Sequence, residues 1–255
     1  MTDPDVSDQA GGAGEAFTTR ARDYRRFRPG YPAQAMEAVL DGLGPRADLL
    51  VADAGAGTGI ASRLLADLGP QVIAIEPNEA MRSAAEPHER VRWIPGTAEA
   101  TGLDDACVDA VVCAQSYHWF EPIRACAEFA RILRPGGRLA LIWNDGDEST
   151  PIARGYYDLV RAAAPEGLTS HKRAARDPRI AEPFACARRL RFRNVHRIDA
   201  DALVGRALSA SYVPRSGPRA DRLIAGLRAL HAQHADAEGM VPLVYDVLVY
   251  LCEAR

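Results

Sequence analysis

The chain has 255 residues, 47% of them hydrophobic and 25% charged, which suffices to bury a sizeable core in water. A formal net charge of −3 offers no basic field to nucleic acid or an anionic membrane, and no apolar run of about 18 residues could span a bilayer. The opening stretch MTDPDVSDQAGGAGEAF is acidic and rich in small residues, so residues 1–15 are expected to form a disordered tail rather than a signal peptide. Cys107, Cys113, Cys126, Cys186 and Cys252 show no CxxC spacing, which fits reduced, buried thiols in a cytoplasmic protein. His231 and His234 (HAQH) share a helical face without an evident third ligand, so no metal site is expected.

Taken in chain order, residues 49–54 read as a strand and 59–68 as a helix. Residues 72–76 read as a strand and 79–85 as a helix, with further strands at 91–95 and 108–114. A helix at 123–133 is closed by Pro135, Gly136 and Gly137, and 138–143 (RLALIW) is another apolar strand. This alternation predicts βαβ units and a parallel sheet covered on both faces. Past Asn144 the pattern changes to helices at 151–164 and 169–187, a strand at 187–198, helices at 202–209 and 218–231, and a last strand at 240–254. The arginines of RRLRFR (188–193) alternate with apolar residues, as in a half-exposed strand.

Residues 51–60, VADAGAGTGI, carry a strand into Asp53 and then turn through Gly55, Gly57 and Gly59 into a helix. Glycine permits positive φ and close approach of backbone to a ligand, and a helix start offers free N–H groups to an anion. Glu76 ends the next strand, 21 residues after Gly55, where a carboxylate can accept hydrogen bonds from both hydroxyls of a ribose. A nicotinamide loop needs a small third residue, yet Ile60 stands there counting from Gly55 and Ser62 counting from Gly57.

The run DAGAGTG, then IEPN, GTAE (96–99), VDAVVCAQSYHWF (108–120), ILRPGGRLALIW (132–143) and, upstream, YRRFRPGYP (24–32) resembles the successive motifs of class I S-adenosylmethionine-dependent methyltransferases. The likeness is to the type 11-like small-molecule group, which includes trans-aconitate methyltransferase-like proteins, and it covers about residues 20–145. It implies an α/β, Rossmann-like, mostly parallel sheet of seven strands, with helices on both faces and an antiparallel C-terminal strand. One domain over 16–255 is expected, with the cofactor core at 46–145 and substrate or lid elements at 16–45 and 146–235.

The resemblance also implies roles. Asp53, Gly55, Ala56 and Gly57 would hold the methionine part of the cofactor, Glu76 its ribose, and Pro77 and Met81 its adenine face. Ala98 and Glu99 would lie at the adenine's polar edge and Gln115 at the sulfonium. Tyr24 and Arg28 lie on a segment that closes over the site in similar enzymes, and Arg28 could pair the cofactor carboxylate.

The aromatic cluster in CAQSYHWF leaves the fourth strand at the edge where such sheets bind ligands. His118 is the catalytic candidate, either as a base toward the acceptor or as a shaper of the pocket. Tyr31, Tyr117, Trp119, Asn144, His171 and Tyr212 are the substrate-side candidates. Asp145 ends the fifth strand with Asn144, Tyr156 and Tyr157 could join Tyr212 in a lid, and Lys172, Arg173 and Arg176 form a basic group with His171. The expected activity is methyl transfer to a small molecule at oxygen, nitrogen or carbon, the acceptor a natural-product intermediate or a carboxylate. The alternatives are a cyclase or regulator that binds S-adenosylmethionine without transferring methyl and, further off, an NAD(P)-dependent oxidoreductase.

Overall fold

Runs of valine, isoleucine and alanine bounded by glycine and proline become the strands of one sheet, in a computed structural model that describes residues 25–164, 180–210 and 212–254. The strands are β1 (Leu50–Ala54), β2 (Gln71–Ile75), β3 (Val91–Ile94), β4 (Val108–Ala114), β5 (Leu133–Gly146), β6 (Phe184–Ile198) and β7 (Val241–Ala254), in the spatial order β3-β2-β1-β4-β5-β7-β6. All pairs from β3 to β5 are parallel, and β7 runs antiparallel to both of its neighbours. The sheet is the expected Rossmann-like one. From β1 the chain moves outward to β2 and β3, then crosses back to β4 and β5. The carboxyl ends of β1 and β4 therefore frame a switch-point crevice.

Alternate residues of the strands feed two apolar layers. Val51, Val112, Ala140 and Ile142 face α1 (Ala33–Leu40) and α2 (Ile60–Asp67), where Met36, Val39 and Leu65 are buried. Ala52, Val111, Cys113, Leu139 and Leu141 face the other way, onto α4 (Pro122–Ile132), which buries Ala125, Cys126, Phe129 and Ile132. Phe129 is completely buried, and its truncation to alanine should cost about 3–5 kcal/mol. Glu121 caps α4 by accepting from Ile123 N and Arg124 N, with Pro122 at the first helical position.

A third apolar cluster joins α5 (Pro151–Ala163), α6 (Ala200–Leu208) and α7 (Pro218–His234) to the ends of β6 and β7. Helices α5 and α7 come close because each offers a glycine to the other: a Cβ at Gly155 would reach Leu230 at 2.7 Å, and one at Gly226 would reach Leu159 at 2.7 Å. At the sheet edge, the arginines of β6 include Arg191, bound to Asp246, and Arg197, bound to Asp236 and Glu238. Charged side chains of this kind keep an edge strand from pairing with another chain.

The structure corrects several expectations. The expected helix over 169–187 fails in its described part, since β6 begins at Phe184 and residues 165–179 lie outside the described residues. Pairing decides the matter: β7 extends apolar and unbroken to Ala254, and Phe184 takes Ala254 as its partner, with a bulge between Cys186 and Arg188. Strand β5 likewise begins at Leu133 and runs through Pro135–Gly137, with a shift in its register against β4. Gly137 is required there, because a Cβ would meet Arg134 O at 2.9 Å and Asp109 O at 3.0 Å. Cys186 and Cys252 are not free thiols: they are cross-strand partners on β6 and β7, joined as a disulfide. The expected tail at 1–15 lies outside the described residues.

Candidate active site

Past β1, Gly55, Gly57 and Gly59 all take positive φ, at 68°, 59° and 76°. Space separates the three. A Cβ at Gly55 would come within 2.8 Å of Ser116 Cβ, and one at Gly59 within 2.7 Å of the Trp93 ring, whereas one at Gly57 would meet nothing within 4 Å. Gly57 is thus where bare backbone faces open space.

Glu76, 8% exposed at the end of β2, is fixed by the loop and by its own turn. Its Oε2 accepts from Gly57 N and its Oε1 from Asn78 N, both at 2.9 Å. Asn78 in turn caps α3 (Glu79–Ser83) through Ala80 N and Met81 N. A carboxylate has about four lone-pair directions, so each oxygen can still accept from a ribose hydroxyl. Asp53 is buried more deeply, at 1% exposure. Its Oδ2 accepts from Ser62 Oγ at 2.5 Å, and its Oδ1 is buried without a partner. Burial pushes its pKa up to about 6; the Ser62 hydrogen bond opposes the rise and the Glu76 charge adds to it. Buried polar oxygens are nearly always bonded, so Asp53 Oδ1 is suited to a cationic group of a ligand.

Strand β4 leaves the sheet at Gln115, which adopts φ 58°, a strained choice for a side chain with a Cβ. Gln115 N donates to Ile142 O at 2.8 Å, and its Nε2 donates to Asn144 O at 3.2 Å. Ser116 Oγ donates to Ala54 O at 2.7 Å, tying the exits of β4 and β1 together. A short turn, Tyr117–Trp119, follows. Tyr117 is buried in the core with its hydroxyl 3.4 Å from Cys126 Sγ, and Phe120 packs edge-on to Tyr117 and Phe129. Trp119 is 65% exposed. His118 Nδ1 accepts from Trp143 Nε1 at 3.3 Å. An indole N–H can only donate, so Nδ1 carries no proton and the neutral ring keeps its hydrogen on Nε2.

Asn144 Nδ2 and Asn194 Nδ2 both donate to Gly30 O, at 3.2 and 2.8 Å. The N-terminal segment thereby crosses the ends of β5 and β6. Its Phe27 ring fills the space beside Gly205 of α6, and Arg28 Nε donates to Ser209 Oγ at 3.1 Å. Tyr31 packs on the layer beneath α1 and α2, and Tyr212 on the third cluster. Glu99 Oε1 accepts from Glu121 N at 2.9 Å, Ala98 is buried, Met81 is half-buried and Pro77 is exposed. Tyr24, His171, Lys172, Arg173 and Arg176 lie outside the described residues. The sequence reading missed Ser62 as the partner of Asp53 and Trp143 as the partner of His118. Ser62 could have been found, one helical turn past the glycine loop; Trp143 gave no local signal. Two surface cavities, of about 420 Å³ beside β2 and β3 and about 470 Å³ between α5 and α7, contain none of these residues.

Comparison with known proteins places the chain in a family. Residues 52–141 match the family model of a methyltransferase domain, Methyltransf_11. An uncharacterized methyltransferase of Mycobacterium tuberculosis is 36% identical over 200 residues, 77% of each chain. One from Schizosaccharomyces pombe is 33% identical over 164 residues, covering 64% of this chain and 65% of its own. The structure of a candidate type II methyltransferase from Anaeromyxobacter dehalogenans superposes with a TM-score of 0.66 at 26% identity, over 88% of this chain and 97% of its own. The fold is that of class I S-adenosylmethionine-dependent methyltransferases. The chain belongs to that methyltransferase family, and the nicotinamide alternative falls. Among the described residues no helix is long and apolar enough to cross a membrane.

Proposed function

We propose that this methyltransferase acts on a small acceptor, at oxygen, nitrogen or carbon, held between the Tyr117–Trp119 turn and the helices α5 and α6. The observation that carries the reading is the enclosure at the end of β5. Tyr157 occupies the space beside Gly146, and Tyr156 and Tyr245 are buried next to it. Such walls suit a small acceptor, because an in-line transfer gains from alignment and from the exclusion of water.

S-adenosylmethionine, when bound, supplies a methyl group activated on a sulfonium. In this reading Glu76 accepts the ribose hydroxyls, and Asp53 Oδ1 with the loop at Gly57 receives the methionine end. Gln115, pinned to Asn144, borders the reacting end of the crevice. His118, with Nδ1 engaged by Trp143, carries its ring hydrogen on Nε2. It orients the acceptor by donating a hydrogen bond, and takes no proton in this tautomer. We place the reaction in the cytoplasm, a reading supported by the free thiols of Cys107, Cys113 and Cys126.

The test is release of S-adenosylhomocysteine from the full chain, supplied with panels of small acids, phenols and amines or with bulk protein and transfer RNA. Turnover that needs a member of the small-molecule panels is the expected result. Turnover confined to protein or RNA would overturn the reading.

A further inference from the structure

The third apolar cluster holds a positive charge with no acid beside it among the described residues. Arg206 of α6 is surrounded by protein, with part of the residue still accessible. It makes no ion pair among the described residues, and its buried Nε has no hydrogen-bond partner. Phenols surround it instead: its guanidinium carbon stands 6.0 Å from the Tyr245 ring centroid, and its charge acts on Tyr156 and Tyr157. Arg28 brings a second positive charge to Tyr156. His196 Nδ1 is likewise buried without a partner, while the Tyr245 hydroxyl lies against the guanidinium as its hydrogen-bond acceptor. Burial, and then the charge of Arg206, lower the pKa of His196 and keep it neutral.

Buried polar atoms rarely stay unbonded, and buried guanidinium groups pair with anions. A buried cation with no acid beside it, its own Nε orphaned and His196 Nδ1 orphaned nearby, therefore describes a seat for something negative. The seat adjoins the methyl-transfer crevice. Tyr245 is the cross-strand partner of Gly146 on β5, two residues beyond the Asn144 carbonyl that holds Gln115. That is roughly 7 Å along the strand.

We propose that Arg206 binds an oxyanion of the methyl acceptor, a carboxylate or a phosphate, as the anchor that fixes its orientation. The guanidinium provides the fork of donors that such groups accept, the hydroxyls of Tyr245 and Tyr156 donate beside it, and Arg28 strengthens the field. The proposal rests on the small-acceptor reading above and adds the charge of the substrate to it.

Thermal unfolding of the full chain, with malonate or inorganic phosphate against chloride at equal ionic strength, tests it. Wild type should melt about 3 °C higher with one of the two anions at tenfold its dissociation constant, and which one does so separates carboxylate from phosphate. Arg206→Met should lose the shift while melting no lower than wild type without anion, because the variant removes an unpaired buried charge. Arg206→Lys, which keeps the charge without the fork, should fold and bind the anion about tenfold more weakly. The proposal is overturned if neither anion shifts wild type, if Arg206→Met keeps the shift, or if Arg206→Met melts lower or does not fold, since Arg206 would then be a structural residue. S-adenosylhomocysteine titrated into the same samples should bind within about twofold of wild type. Turnover of uncharged acceptors by wild type and Arg206→Met alike would sink the anchor and leave the small-acceptor reading standing. Turnover on macromolecules alone would sink that reading.

Discussion

At the β1–β2 end of the crevice two carboxylates stand close enough for Glu76 to help raise the pKa of Asp53, and one oxygen of Asp53 lacks a donor. At the β5–β7 end an arginine stands among phenols with no acid paired to it among the described residues. The first end is held by backbone: Gly57 N and Asn78 N fix Glu76, and Ser62 fixes Asp53. The second end has aromatic walls and, at Arg206 Nε, a donor without a partner among the described residues. The contrast separates two kinds of recognition. A rigid acidic end suits one invariant ligand with cationic and hydroxyl groups, and a cationic end with open valences suits the partner that varies between enzymes.

The largest effect should come from breaking the acidic end. Glu76→Ala removes the acceptor of Gly57 N and, in the proposed reading, of two ribose hydroxyls, and hydrogen bonds to a charged group are worth about 1.5–3 kcal/mol each. Affinity for S-adenosylhomocysteine should fall about 100-fold or more by calorimetry, with malonate or phosphate binding at the other end unchanged. Loss at both ends together would show that the ends are one site.

Asp53→Asn should expose a conflict between stability and binding. The carboxyl has a folded pKa of about 6 against an ordinary 3.8, so between those values the folded state holds its proton more tightly than the unfolded state. Stability from this group is therefore present at low pH and is lost as pH rises through about 6, a cost of about 3 kcal/mol at most. Urea unfolding should find the variant more stable than wild type at pH 7.5 and equal to it near pH 4, with cofactor affinity reduced about tenfold. A variant less stable at pH 7.5 would mean that Asp53 is fully satisfied in the folded chain.

The acidic end was legible in the sequence and the cationic end was not, for a physical reason. Glycines at positive φ in a strand–helix turn and a carboxylate at the next strand end that accepts from Gly57 N are local features of the chain, so their spacing survives in one dimension. The parallel strands declare themselves by short apolar runs for the same reason. Arg206 sits in ALVGRAL and reads as an ordinary helix cation. Its burial follows from how α6 meets Phe27, α5 and β7, none of which is near it in sequence. The bond between Trp143 and His118 spans 25 residues, and the Cys186–Cys252 pair spans 66. Strand β6 hid its start because residues 184–187 have no strand pattern of their own and are strand only beside β7.

His118 lies between the two ends, and its variants separate a donor from a base. His118→Gln keeps an N–H donor and cannot take a proton, so kcat should stay within about threefold of wild type. His118→Ala should lose about tenfold, the worth of one neutral hydrogen bond. A general base would lose about 10²–10⁴-fold in both variants, and that result would reject the tautomer assigned from Trp143.

The smallest expected effect concerns Arg28, which could serve either end. Similar enzymes suggest a partner for the cofactor carboxylate. In this chain, however, Arg28 donates to Ser209 at the end of α6, its neighbour Phe27 packs on Gly205, and its charge reaches Tyr156. These contacts put it on the cationic side, where it adds to the field at Arg206 from a partly exposed position. Screening at such a position limits its worth to about 1 kcal/mol. Arg28→Ala should therefore weaken the anion that stabilises wild type by roughly 3–5-fold and change S-adenosylhomocysteine affinity less than twofold. The opposite pattern, with the cofactor weakened and the anion unaffected, would return Arg28 to the acidic end. The N-terminal segment would then close over the cofactor rather than over the acceptor.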